Sequence, residues 1–273
     1  METKILFLDL DGTLLNSRRE ISQGNRAALQ KALAVGHRVV INTGRPLASA
    51  IKQNERLGLT QEGCYVISFN GGVIYDAYRK EVIYSQCLPL ETAIAITRLC
   101  NEKNVHVQTY DREKVLIEPR WDDGQIQNYC SRILIDYQVI PDFATGLLEA
   151  PPKVLAVSET DRPALEALQK EIPERFPEVD AFFSGVHLLE IVPKGVHKGT
   201  ALRRLCGLLH IPVANSVAAG DEENDLTMLR AAGVGCAMAN AVPAVKQSAD
   251  YVTEHTNDQD GVAEIVEKFL LAE

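Results

Sequence analysis

The sequence predicts an α/β protein with a doubly wound, mainly parallel, Rossmann-like core sheet into which an α+β domain is inserted. Two observations support this prediction. At both ends of the 273-residue chain, short apolar runs alternate with amphipathic segments, the order found in parallel sheets with helices on both faces. In the middle of the chain, closely spaced pairs of apolar runs indicate hairpins, which build antiparallel sheets.

The first ninety or so residues supply half of the predicted core. Residues 4–10 (KILFLDL) form a nearly continuous apolar run, which is typical of a strand buried on both faces. Ser22 can cap a helix that ends at Gly36. The segments that follow are a strand at 38–42, a helix at 48–57, a strand at 65–69 and a hairpin-like pair at 73–75 and 81–84.

The middle of the chain has a different pattern. A helix followed by two strands occurs at both of its ends, as a weak internal repeat. The predicted helices are 90–103, 121–135 and 162–176, and the predicted strands are 105–110, 115–117, 154–157, 179–184 and 188–192. The simplest account is a core domain at 1–88 and 193–273 with an inserted domain at 89–192.

The C-terminal end returns to the alternating pattern of the first ninety residues. Pro243 suits the first turn of a short helix. The other elements are a helix at 198–209, a strand at 216–219, a loop that becomes a helix across 221–232, a strand at 234–237 and a helix at 262–271. These segments supply the missing half of the core sheet.

Composition limits the possible classes of function. The chain has 28 Lys and Arg against 37 Asp and Glu, a net charge of −9, which argues against a nucleic-acid-binding surface. No apolar run approaches the roughly 18 residues of a membrane span, and the N-terminus lacks the pattern of a signal peptide. We therefore expect a cytoplasmic protein, either a monomer or a small homo-oligomer, with neither nucleic acid nor membrane as a partner.

Three polar clusters follow predicted core strands and a fourth precedes the predicted helix at 198–209, so that all four would meet at the sheet edge where open parallel sheets bind ligands. Each cluster alone is also explained by a purely structural role, such as a turn, a solvated side chain or an acidic first turn of a helix. Together their placement predicts one site. The clusters are DLDGT at 9–13, NTGR at 42–45, PKGVHKG at 193–199 and GDEEND at 220–225.

The carboxylates in these clusters indicate a metal ion. Asp9 and Asp11 are one residue apart and would project the same way from a strand, where two close carboxylates repel unless a cation or a shared proton relieves them. Asp221 and Asp225 add two more from another strand end. Carboxylate oxygens without soft ligands select a hard ion such as Mg²⁺, which leaves room for a phosphate oxygen.

The remaining groups suit a phosphoryl group. Thr43 offers a hydroxyl, Gly44 an accessible backbone N–H, and Lys198 a positive charge. Groups of these kinds bind the peripheral oxygens of phosphate.

Together the four clusters resemble the four motifs of the haloacid dehalogenase superfamily. The chain length, and the insertion between the second and third motifs, resemble its Cof-type sugar-phosphate phosphatases, which carry a large α/β (C2-type) cap. The resemblance implies a Mg²⁺-dependent phosphatase that hydrolyses a small phosphorylated metabolite, such as a sugar phosphate, through an aspartyl-phosphate intermediate.

The resemblance also implies a role for each residue. Asp9 would be the nucleophile and a Mg²⁺ ligand, and Asp11 the general acid and base that binds the metal through its backbone carbonyl. Asp221 would be a further metal ligand, supported by Asp225. The residues that would hold the phosphate are Leu10 through its backbone, Thr43, Gly44, Lys198 and Asn224.

Two alternatives stay open at this point. A phosphomutase of the same superfamily would return the phosphoryl group to the same sugar. A phospho-acceptor signalling module would be phosphorylated on Asp9 and hydrolysed slowly. Asp11 argues against the second alternative, because an acid–base group two residues from the nucleophile serves turnover.

Overall fold

A computed structural model describes residues 2–272 of the chain, in which there are fourteen strands and ten α-helices. The strands are β1 (Ile5–Leu8), β2 (Arg38–Asn42), β3 (Cys64–Ser68), β4 (Val73–Asp76), β5 (Glu81–Ser85), β6 (His106–Tyr110), β7 (Lys114–Ile117), β8 (Asp136–Val139), β9 (Val154–Val157), β10 (Val179–Gly185), β11 (Leu188–Pro193), β12 (Ser216–Gly220), β13 (Val234–Ala237) and β14 (Tyr251–Val252). The helices are α1 (Gln23–Ala34), α2 (Leu47–Leu57), α3 (Leu90–Glu102), α4 (Gly124–Ile133), α5 (Phe143–Gly146), α6 (Arg162–Arg175), α7 (Lys198–Leu208), α8 (Leu226–Leu229), α9 (Pro243–Ser248) and α10 (Gly261–Ile265).

The core sheet has eight strands in the order β14-β13-β12-β1-β2-β3-β4-β5. Strand β1 lies between β12 and β2 and is parallel to both. Parallel pairing continues to β14 on one side and to β3 on the other, and β4 is antiparallel to β3. The predicted α/β class with a mainly parallel core sheet is confirmed.

Burial explains why these segments form this sheet. All four residues of β1 are apolar and completely buried, as a strand covered on both faces requires. Helix α1 begins after Ser22, whose side chain accepts a hydrogen bond from the backbone N–H of Asn25. Its buried side chains include Leu29, which belongs to the same hydrophobic cluster as β1.

A second, six-stranded sheet has the order β10-β11-β9-β6-β7-β8. Its central strands are antiparallel, whereas β7 and β8 are parallel. Apolar side chains of β9 and β11 share a hydrophobic cluster with Ile96 of α3 and Leu168 of α6. The sequence did not predict β8, since this edge strand is mostly exposed and lacks an apolar run.

The chain is divided into two compact units. One comprises Met1–Gly44, Gln53–Tyr84 and His197–Glu273, and the other comprises Arg45–Lys52 and Ser85–Val196. The domain limits expected from the sequence, 1–88 with 193–273 and 89–192, stay a prediction. Across residues 2–272, every helix is too short or too polar to span a bilayer.

Candidate active site

The register of the core sheet brings the polar clusters to one edge. Leu8 lies opposite Ala219 of β12 and opposite Ile41 of β2. The backbone N–H of Asp9 then donates to the carbonyl of Ala219 at 3.0 Å. The loops after β1, β2 and β12 therefore leave the sheet at the same level, as neighbouring parallel strands dictate.

Lys198, the first residue of α7, lies between two carboxylates at this edge. Its Nζ donates to Asp9 Oδ1 at 2.5 Å and to Asp225 Oδ1 at 2.6 Å, and its side chain is fully buried. Burial alone lowers the pKa of Lys198, but the charges and hydrogen bonds of Asp225 and Asp9 outweigh burial and raise the pKa above its ordinary value. The lysine therefore remains charged.

Asp9 occupies a position where a negative charge is poorly compensated. Burial raises the pKa of its carboxyl well above the ordinary value; Lys198 opposes this rise, whereas the charges of Asp225 and Asp221 add to it. One buried lysine thus faces three buried carboxylates. Such an imbalance favours an additional cation.

The three carboxylates are close enough to share an ion. Asp9, Asp221 and Asp225 each offer an oxygen atom, and these atoms all lie within 4.8 Å of one another. Oxygen-only donor sets suit a hard divalent cation such as Mg²⁺. The chemistry of the donor set therefore fits the expected metal.

Residues of the first loop hold Asp221 in place. Thr13 Oγ1 donates to Asp221 Oδ1 at 2.7 Å. Burial raises the pKa of Asp221 to about 7, and the hydrogen bond from Thr13 opposes this rise. Gly12 has a φ of 82°, and a Cβ atom at this residue would lie 2.2 Å from Asp221 Oδ2. Only glycine leaves room for this carboxylate.

Asp225 fixes the turn that carries Asp221. Its Oδ2 accepts hydrogen bonds from the backbone N–H groups of Asp221 at 3.0 Å and Glu222 at 3.1 Å, while its Oδ1 accepts from Lys198. A Cβ atom at Gly220 would lie 2.4 Å from the Asp225 side chain. Asp225 therefore has few lone pairs left for an ion and organises the backbone around it.

The other residues predicted for the site occupy the surrounding loops. Asp11 is exposed, unlike Asp9. Leu10 is fully buried, and its carbonyl accepts a hydrogen bond from the N–H of Leu15 at 2.9 Å. Leu10 thus anchors the loop that presents the two aspartates. Thr43 is buried and follows β2 directly.

Gly44 and Asn224 meet at a residue that the sequence analysis did not assign to the site. Asn224 Nδ2 donates to Asn70 Oδ1 at 3.4 Å, and a Cβ atom at Gly44 would lie 3.0 Å from the same Asn70 oxygen. Sequence reasoning missed Asn70 and Thr13 as site residues. The available signals were the Asn-Gly-Gly run after β3 and the hydroxyl within the first cluster.

Known proteins of one hydrolase family resemble this chain along nearly its whole length. The model of the haloacid dehalogenase-like hydrolase family matches residues 6–266. Two Bacillus subtilis proteins are each 31% identical: 5-amino-6-(5-phospho-D-ribitylamino)uracil phosphatase YitU, with 99% of both chains covered, and phosphatase YwpJ, with 98% of this chain and 100% of the relative covered. The solved structure of the subclass IIB sugar phosphatase BT4131 has a TM-score of 0.84 and 25% identity, and the match covers 98% of this chain and 99% of that one.

Proposed function

The chain belongs to the haloacid dehalogenase-like hydrolases and is a phosphoric monoester hydrolase, and we propose that it hydrolyses small phosphorylated metabolites, sugar phosphates above all, through an aspartyl phosphate on Asp9 with Mg²⁺ as cofactor. The observation that carries this proposal is the buried cluster of Asp9, Asp221 and Asp225 around Lys198. The names of two of these proteins support the substrate class. One is a phosphatase of a phosphorylated ribityl compound, and the other is a sugar phosphatase.

Mg²⁺ would be held by the side chains of Asp9 and Asp221 and by the backbone carbonyl of Asp11. Bound there, it would offset the repulsion between the attacking carboxylate and the anionic phosphate. Asp225 would keep the Asp221 turn in place through the two backbone hydrogen bonds to its Oδ2.

Asp9 is the proposed nucleophile. Its Oδ1 accepts from Lys198, which orients the carboxylate so that Oδ2 forms the new bond to phosphorus while the ester P–O bond breaks. Asp11 donates its proton to the leaving alkoxide. Asp11 then removes a proton from the water that attacks phosphorus and releases Asp9, a type of assistance worth about 10²–10⁴-fold.

The phosphoryl oxygens would lie against the backbone of Leu10 and against four further groups. Thr43 and Asn224 contribute side-chain donors, Gly44 a backbone N–H, and Lys198 a positive charge close to Asp9. Hydrogen bonds to charged oxygens are stronger than neutral ones, so these groups stabilise the charge carried by the transferring phosphoryl group.

A screen of phosphorylated metabolites with Mg²⁺ tests this proposal. We expect inorganic phosphate as the product, repeated turnover, and the highest kcat/KM among sugar phosphates. Acid quenching during turnover, followed by borohydride reduction, should mark the side chain at position 9 in the wild type and leave Asp9→Asn unmarked. Asp136→Asn, at an exposed carboxylate of β8, is the control that should behave as wild type.

Three outcomes would contradict the proposal. An isomeric sugar phosphate in place of inorganic phosphate would identify a phosphomutase. Release limited to one turnover would identify a phospho-acceptor module. Phosphate release by Asp9→Asn at the wild-type rate would refute the nucleophile.

A further inference from the structure

The turn after β3 has an unusual backbone next to the candidate active site. Phe69, Asn70 and Gly71 have φ values of 52°, 55° and 115°, so three consecutive residues lie in the left-handed region. Asparagine and glycine tolerate this region, whereas phenylalanine adopts it rarely. Such a backbone persists only where the surrounding structure holds it in place, and it often occurs at functional sites.

This turn contacts three of the four loops of the site. The N–H of Asn70 donates to the carbonyl of Thr43 at 3.0 Å, and its side chain lies against Gly44 and Asn224. Gly71 packs so tightly on the backbone before Lys198 that a Cβ atom at Gly71 would lie 2.7 Å from the carbonyl oxygen of His197. The turn therefore packs against three loops that are distant from one another in the sequence.

The backbone conformation at Asn70 does not by itself require a carboxamide side chain. Asn70 is 1% exposed, and its Nδ2 makes no hydrogen bond within the described residues. A buried donor without a partner is unfavourable, and glycine would adopt a φ of 55° without this cost. The contacts that glycine would lose are those of the side chain with Asn224 and Gly44.

We propose that Asn70 is a positioning residue for phosphoryl binding, which holds the Asn224 carboxamide and the Gly44 backbone in one cradle. This inference rests on the proposed function, because Gly44 and Asn224 bind phosphate only in that proposal. Asn70 acts through Asn224 and Gly44. Its effect therefore falls on the phosphoryl group that all substrates share, and is the same whatever the leaving group.

The test compares Asn70→Gly with the wild type in the presence of Mg²⁺, with inorganic phosphate as the probe. Asn70→Gly keeps the left-handed backbone and removes the carboxamide. We expect the inhibition constant of phosphate and the KM of two unlike substrates to rise about tenfold, the loss typical of one hydrogen bond to a charged group. We expect kcat to change less than KM.

Asn104→Gly is the matched control. Asn104 has the same φ of 55° but is exposed, and its side chain accepts a hydrogen bond from Arg120 within the second compact unit. This variant should bind phosphate as the wild type does. Equal phosphate inhibition constants for Asn70→Gly and the wild type would overturn the proposal.

A double-mutant cycle separates positioning from a general loss of structure. In an Asn224→Ala background, Asn70→Gly should weaken phosphate binding by clearly less than tenfold, because one of the two groups it positions is already gone. Full additivity of the two changes would overturn the proposal, even if Asn70→Gly also lowers Tm.

Phosphate binding also keeps this inference apart from the proposed function. A wild-type protein that binds phosphate but releases none from any substrate would contradict the hydrolase mechanism, while the Asn70 comparison could still be made. A wild-type protein that does not bind phosphate at all would contradict both.

Discussion

Thr13 and Asp221 are joined by a buried hydrogen bond of 2.7 Å although they are 208 residues apart in the sequence. The bond connects the loop after β1 to the loop after β12, and it holds one oxygen of the carboxylate that we propose as a metal ligand. A hydroxyl that orients a ligand in this way contributes to metal affinity without touching the ion.

Replacing this hydroxyl should weaken metal binding. Thr13→Val removes the donor but keeps the shape of the side chain, so we expect the Kd for Mg²⁺ to rise about 10- to 100-fold. Thr13→Ser keeps the donor and should stay near the wild-type value. Calorimetric titration with Mg²⁺ measures both variants, and equal affinity for the valine and serine variants would exclude this role for Thr13.

Gly12 offers a second test of the same carboxylate. The Cβ of Gly12→Ala would lie 2.2 Å from Asp221 Oδ2, so Asp221 must move and Mg²⁺ affinity should fall by at least about tenfold. Gly36→Ala is the matched control: its φ is 92°, but no atom lies within 4 Å of the added Cβ. Both variants should lose stability through backbone strain. A similar Mg²⁺ affinity in both would show that crowding of Asp221 is unimportant.

Lys198→Met should destabilise the metal-free protein strongly. The change leaves Asp9 and Asp225 buried without the cation that contacts both. Breaking a buried ion pair in this way costs about 3–5 kcal/mol of unfolding free energy, which chemical denaturation in a chelator measures. Adding Asp225→Asn should recover part of the loss, because it removes one of the two unpaired charges.

The exposed Lys194 supplies the control for this prediction. Lys194→Met should change the unfolding free energy by less than about 1 kcal/mol. Similar losses at the two lysines would indicate that the buried charges near Lys198 contribute little to stability.

A divalent cation should stabilise the fold as well as support activity. Three buried carboxylates face one lysine, so an ion that binds only the folded state raises Tm with its concentration. We expect Mg²⁺ to raise Tm and a chelator to stop turnover, with added Mg²⁺ restoring it. In Asp221→Asn the rise in Tm should shrink or vanish. Hydrolysis that continues in excess chelator would count against the metal.

The buried ring of His37 should make the stability of the fold depend on pH. Its Nδ1 accepts from the N–H of Lys4 at 3.1 Å and its Nε2 donates to the carbonyl of Leu270 at 2.9 Å, an arrangement that requires the neutral ring. Burial lowers the pKa of His37, and the charges of Lys4 and Arg38 lower it further. The imidazole of the unfolded chain therefore binds a proton more readily than that of the folded protein. The contribution of neutral His37 to the free energy of unfolding is complete above about pH 6.5, and it is lost as the pH falls through the pKa of the folded state.

We therefore expect the Tm of the wild type to fall more between about pH 7.5 and about pH 5.5 than that of His37→Gln, whose amide does not titrate. His210→Gln, at an exposed histidine, should follow the wild type. Parallel pH profiles for the wild type and His37→Gln would refute this contribution.

The sequence predicts most of the core because its signals are strong there. Strands β2, β9 and β13 have the predicted bounds, since buried strands are continuous apolar runs between turn residues. Strands β8 and β14 were not predicted: they lie at the edges of their sheets, and β14 has two residues. Edge strands and very short strands carry little periodicity to detect.

The site follows the same logic. The main charged residues of the site stand in clusters at strand ends or at a helix start: Asp9, Lys198, Asp221 and Asp225. Since open parallel sheets bind ligands at the edge where their strands end, the sequence was enough to predict that these residues lie together. Thr13 and Asn70 were missed because each acts through another residue. Their partners, Asp221 and Asn224, become visible only when the chain is folded.

The position of β1 has a consequence for biosynthesis. This apolar strand needs β12 as a neighbour, yet β12 begins at residue 216 of 273. All residues between β1 and β12 must therefore be synthesised before the centre of the sheet can close, and closing it depends on contacts of long sequence separation, which form slowly. Premature termination upstream of β12 would leave an unpaired hydrophobic edge exposed to chaperones and to aggregation.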